Sequence, residues 1–152
     1  MANQTATDRE ATLAAVHTTL AQSVAALVTG EDWRRAMEFA ARFRSRSFSN
    51  TLLIYVQHHQ AYQQGQVREP MPTFVAGYRQ WQSIGHQVHR GAHGYAILAP
   101  VVARFAADHW SDPRSAWHRL GPGEKPGRGE ILRTQLVNTK VAHVLDSLSR
   151  VC

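Results

Sequence analysis

The chain is poor in cysteine, lysine and carboxylates: it has one Cys, at position 152, two Lys, and eleven Asp and Glu in 152 residues. A single thiol cannot close an intramolecular disulfide, so the fold needs no oxidising compartment and a cytoplasmic setting fits best. No run approaches about 18 consecutive apolar residues. The opening residues MANQTATDREATLAAV lack both a basic start and an unbroken apolar stretch, so neither a membrane span nor a secretory signal is expected. The His-Glu-x-x-His, Gly-x-x-x-x-Gly-Lys and Gly-x-Ser-x-Gly signatures are also missing. With the few carboxylates scattered, paired-carboxylate or two-metal chemistry has little material, and the chain is expected not to be an enzyme.

Positive charge is what the sequence has in excess. Seventeen basic residues, fifteen of them Arg, give a net charge of +6 and a pI near 10.2. From Arg34 to Arg104 there are nine Arg and two acids, Glu38 and Glu69, whereas the first 32 residues carry four acids and one Arg. A cationic middle segment points to an anionic partner, and the planar fork of Arg suits phosphate.

Periodicity divides the chain into helices followed by strands. Thr7-Asp8-Arg9-Glu10 has capping-box spacing, and Leu13, Val16, Leu20, Val24 and Leu27 place an apolar stripe on a first helix ending near Gly30. Thr29 and Asp32 repeat the cap before a second helix running to about Arg46, and Ser47 or Ser49 caps a third that carries Leu52, Leu53 and Val56. After a loop over 63–72, Gly77 to Trp81 reads as a helical turn. His86–His89 reads as a brief strand forming a hairpin with 95–102, and Gln135–Val137 and Val141–Asp146 read as later strands. Residues 107–130, rich in Gly and Pro, are expected to be a flexible, disordered insertion, and no internal repeat is evident. The fold class is α+β: N-terminal helices, then a small, mainly antiparallel sheet.

The candidate site lies in the basic middle, where Arg and aromatic residues interleave. Arg neutralises phosphates and releases counterions, and an exposed aromatic face stacks on any base, so such a surface suits single strands without reading sequence. Arg44, Arg46, Arg79 and Arg90 are the expected phosphate contacts. Tyr78, and secondarily Trp81, are the expected stacking rings. Trp81 equally suits an anchor for its short helix, and Trp33, Phe39, Phe43 and Phe48 have the spacing of core residues. Ser49 and Asn50 either bond a nucleotide or lock their own helix, the second being favoured. His86, His89 and His93 do not share a strand face, so no metal is expected. His58 and His59 are read as exposed at a helix end, without a role. No cofactor is implied.

Phe48-Ser49-Asn50-Thr51-Leu52-Leu53-Ile54, Gly77-Tyr78-Arg79-Gln80-Trp81, Gly85 through Gly91, and Ile97-Leu98-Ala99-Pro100 together resemble, in order and spacing, the N-terminal domain of ArdC-like antirestriction proteins. The resemblance runs from about Trp33 to Asp146, where Val141–Asp146 is similar to a later strand, and leaves 107–130 unmatched. It implies a domain over 31–152, preceded by a helix over 1–30, that binds single-stranded DNA and occurs on plasmids, phages and other mobile elements. It also implies a zinc metallopeptidase-like domain that often follows and that these residues do not include. Where the family usually carries Arg after the glycine matching Gly85, this chain has His86, a titratable donor in place of a permanent charge. The alternative reading is a protein-interaction module that acts on a restriction or DNA-processing partner without touching DNA.

Overall fold

The computed structural model describes residues 2–92, 94–108 and 116–147, the side chains of 2–4 excepted. Its elements, in order, are α1 (Ala2–Ala25), α2 (Gly30–Ala41), α3 (Phe48–Gln63), β1 (Val75–Gly77), α4 (Tyr78–Ser83), β2 (Tyr95–Ala107), β3 (His118–Arg119) and β4 (Ile131–Asp146). The four strands form one sheet in the order β1-β4-β2-β3, and the β1–β4 and β2–β3 pairings are antiparallel, so the fold is α+β as expected. The chain divides into two compact units, Met1–Leu98 with Val141–Cys152, and Ala99–Lys140.

In the first unit α3 is the central helix. Its sequence contains no Asp, Glu, Lys or Arg, and a helix without a charged face is one that others cover. Both α1 and α2 pack on it, and Leu53 and Ile54 are completely buried. Around Ile54 gather Phe39 from α2, Val67, Val75, Tyr95, Ile97 and Val144. A smaller cluster joins Ala76, Trp81 and Leu145, with Val88 and Ala92 packed against it.

The helix boundaries differ from the sequence reading for reasons of backbone geometry. Thr29 is extended (φ −99°, ψ 160°): its hydroxyl accepts from Asp32 N–H and its N–H donates to the Asp32 carboxylate. A residue in that conformation cannot also sit inside a helix, so α1 ends at Ala25 and Gly30 opens α2. Those hydrogen bonds from Thr29 hold the Asp32 carboxyl below its usual range. Likewise Ser47 is extended (φ −64°, ψ 154°) and caps α3 by accepting from Asn50 N–H, so α2 stops at Ala41 rather than reaching Arg46. Thr7 to Glu10 lie within α1 instead of capping it, and of its apolar stripe Val16 is buried while Val24 is 41% exposed.

The expected strand over His86–His89 reduces to a single bridged residue, Val88, in a segment bounded by Gly85 (φ +82°) and Gly91 (φ +81°). The two later strands are one, because β4 runs unbroken through Asn138, Thr139 and Lys140 beside β2. Pairing along a long neighbour outweighs the weak strand preference of Asn.

In the second unit, the far part of the expected insertion carries β3 and two turns. Leu120 is buried and donates its N–H to Arg104 O, while the Arg104 guanidinium donates to Gly121 O and Glu124 O. Gly121-Pro122-Gly123-Glu124 and Gly127-Arg128-Gly129-Glu130 are the same turn built twice. In each, the Glu N–H bonds the first glycine's carbonyl, and the Glu carboxylate accepts that glycine's N–H at 2.6 Å. The third position has φ +74° and +88°, the left-handed value that glycine takes without steric cost. Residues 109–115 lie outside the described residues.

Candidate nucleic-acid interface

Arg46 ties two parts of the predicted site together. From the α2–α3 corner its guanidinium donates to Val75 O at 2.8 Å, half-buried, and burial lowers its pKa from the ordinary arginine value. The corner that carries Arg44 is thereby fastened to the strand from which α4 starts. The side chains of Arg44 and Arg79 are exposed, with no ion pair or hydrogen bond to either among the described residues. Tyr78, the first residue of α4, is 52% exposed. Arg90 lies exposed in the turn that Ala92 N–H closes by donating to His89 O, and Val88 and Ala92 of that segment pack on the cluster containing Trp81.

Trp81 is not a stacking surface. It is buried, its indole N–H donates to Leu145 O at 3.0 Å, and Phe74 and His86 stand edge-on to its ring at 5.1 and 5.5 Å between centroids. A ring enclosed in this way offers no face to a base. Trp81 instead anchors α4 to the sheet, and His86, itself exposed, braces it by a backbone bond to Trp81 O as well. Phe74 was not among the predicted stacking residues, yet it is 45% exposed beside that anchor. Its position just before a short strand carries no periodic signal, and its exposure depends on Trp81 occupying the space within.

Asn50 is held by the fold. Its side chain donates to Leu98 O at 2.8 Å and accepts Leu98 N–H at 2.9 Å. Two turns further along α3, Gln57 does the same for Ala96, donating at 2.9 Å and accepting at 2.8 Å. The two amides satisfy the edge of β2 as a neighbouring strand would, a device visible in sequence only as Asn and Gln seven residues apart on a helix without charge. Ser49 sits half-buried in the first turn of α3, whose cap is Ser47. Replacing Asn50 with Leu strands one N–H and one C=O of β2, each worth about 1–3 kcal/mol when left unmet in a buried setting. Urea titration of Asn50→Leu is expected to show that loss, and Asn50→Asp, which retains the acceptor, a smaller one.

His58 corrects another expectation. It is 1% exposed: Nδ1 lies 2.7 Å from the Tyr95 hydroxyl and Nε2 2.8 Å from Glu69 O, with Asp146, wholly buried, 3.8 Å away. Only His59 faces solvent, with its ring stacked on Tyr55. Among the described residues no group of three or more His, Cys, Asp or Glu is placed to hold a metal ion, and His93 lies outside them. No helix among the described residues is long and apolar enough to cross a membrane.

No curated protein and no solved structure matches the chain. One family model does, over residues 12–131. That span begins inside α1 instead of at Trp33, takes in 107–130, which the resemblance left unmatched, and reaches only the first residue of β4. It covers all nine residues predicted for the site, from Arg44, Arg46, Ser49 and Asn50 through Tyr78, Arg79, Trp81 and His86 to Arg90. The chain belongs to the family described as the N-terminal domain of the anti-restriction factor ArdC.

Proposed function

We propose that this chain is a single-stranded-DNA-binding module of an antirestriction-type protein, gripping phosphates without reading sequence. The observation that carries the proposal is the bond from Arg46 to Val75 O. It ties the corner that carries exposed Arg44 to β1, the strand flanked by Phe74 on one side and by Tyr78 and Arg79 on the other, all three exposed. Glu38 and Glu69 are the only acids between Arg34 and Arg104 to oppose an incoming phosphate. Arg44, Arg79 and Arg90 contact the backbone of the strand, and Tyr78 and Phe74 stack on bases. Arg46 supports the site by holding its corner, and Trp81, Asn50 and Ser49 serve the scaffold.

Fluorescence anisotropy with labelled single-stranded and duplex oligonucleotides over a salt series tests this reading. Binding is expected to prefer the single strand and weaken with salt. Tyr78→Ala and Phe74→Ala are each expected to cost about 1–3 kcal/mol, the worth of one stacked base. Arg79→Ala is expected to flatten the slope of log K against log salt by about 0.7, one phosphate contact on a single strand. Absence of binding at low salt overturns the reading and favours a protein partner from a restriction or DNA-processing system.

A further inference from the structure

We infer that β4 is a self-association edge, through which two copies of this chain pair their strands antiparallel about Thr134. Among the described residues, β4 has β2 on one side in the sheet and β1 on the other, paired over Val144–Asp146. Among the described residues no other strand joins the β1 side of β4, so its stretch from Ile131 is open. Every residue from Leu132 to Asn138 is exposed, whichever face of the strand it occupies, and Leu132, Leu136 and Val137 are 50%, 59% and 42% exposed. Open edges in natural proteins are usually blunted by lysine, proline or a bulge. Here residues 131–139 contain no Pro, Gly or Lys, and Arg133 is their one charge.

Backbone polarity and side-chain order both select one register. Ser147 N–H donates to Phe74 O on the β1 side. Alternate residues of a strand aim their N–H and C=O at the same edge, so Ile131, Arg133, Gln135 and Val137 present theirs to the open side. With Thr134 on the two-fold axis, Arg133 and Gln135 of opposite copies exchange both backbone bonds. Leu132 then meets Leu136, and Ile131 meets Val137, each pair occurring twice. The Leu pairs fall at positions without mutual backbone bonds, where facing side chains stand closest. Arg133 faces Gln135 rather than its own symmetry mate, so no like charges are opposed. A surface that is complementary to itself under a two-fold axis is the requirement for an isologous dimer. The aliphatic side chains have nothing to offer a phosphate, which separates this edge from the proposed DNA surface.

An edge this short belongs to the small, weakly associating class, so sedimentation velocity and light scattering should span about 10 μM to about 1 mM chain. The full chain is expected to dimerise within that range. Gln135→Pro removes an N–H that points away from β2, so it should leave the fold unchanged by circular dichroism and yield a monomer. Leu136→Lys, at an exposed position, should do the same and covers the case in which the proline disturbs folding. Gln135→Glu places a carboxylate opposite Arg133 twice and should tighten the dimer a few-fold. A chain monomeric throughout the range, or a dimer that survives both Gln135→Pro and Leu136→Lys, overturns the inference.

Discussion

Trp81→Ala is expected to destabilise the protein by about 3–5 kcal/mol, the usual cost of removing a large aromatic side chain from a core. That is a large part of the roughly 5–15 kcal/mol that holds a typical domain together. The loss has identifiable parts. Trp81 fills the space between Ala76 and Leu145, supports the Phe74 ring, and bonds the carbonyl of Leu145. Trp81→Phe retains most of the ring contact and gives up the indole bond, so about 1 kcal/mol should be lost. Urea unfolding followed by circular dichroism measures both, with a shifted midpoint and an unchanged slope for a purely native-state effect. The same two variants separate scaffold from ligand contact: folded Trp81→Phe should bind single-stranded DNA as the parent does. A stable Trp81→Phe with weakened binding would instead place the ring against a base.

His58→Ala should be nearly as damaging, about 2–5 kcal/mol, even though no ligand is involved. The imidazole bridges two elements, with the Tyr95 hydroxyl of β2 on one nitrogen and the carbonyl of Glu69 on the other. Removing it leaves two polar groups in a buried setting without these partners, each at about 1–3 kcal/mol, and opens a cavity beside Asp146. Tyr95→Phe removes only one of these contacts and should cost correspondingly less. The double variant His58→Ala/Tyr95→Phe should lose less than the sum of the two single changes, because both delete the same bond. Additive losses would show that His58 stabilises through packing alone. His59→Ala, one position along and facing solvent, is the control and should be near neutral.

These two residues also show where sequence reasoning reached its limit. His58 and His59 are neighbours of one type near the end of one helix, and nothing local distinguishes them. Burial of the first follows from β2 and the segment around Glu69 arriving on that side of α3 from 37 and 11 residues away. Trp81 presented the same ambiguity, since an aromatic in a basic segment suits a stacking ring and a core anchor equally well. The carbonyl of Leu145, 64 residues distant, decided it. Arg46 and Asn50 follow the pattern: residue types that suit phosphate and nucleotide contact are occupied by backbone groups of β1 and β2. Phe74 went unnoticed because exposure of an aromatic is a property of the packed surface.

By itself the sequence determined the α+β class, the helices-first order, the cap at Thr29, and the cationic middle with its family motifs. These are encoded within a few residues of one another, as hydrophobic period, cap chemistry and charge. Only the tertiary structure decided which of nine candidate residues face solvent, that Ser47 and not Ser49 caps the third helix, and that one strand stands where two were expected. Such outcomes depend on groups far apart in the chain competing for the same space and the same hydrogen bonds, and no local window contains both competitors.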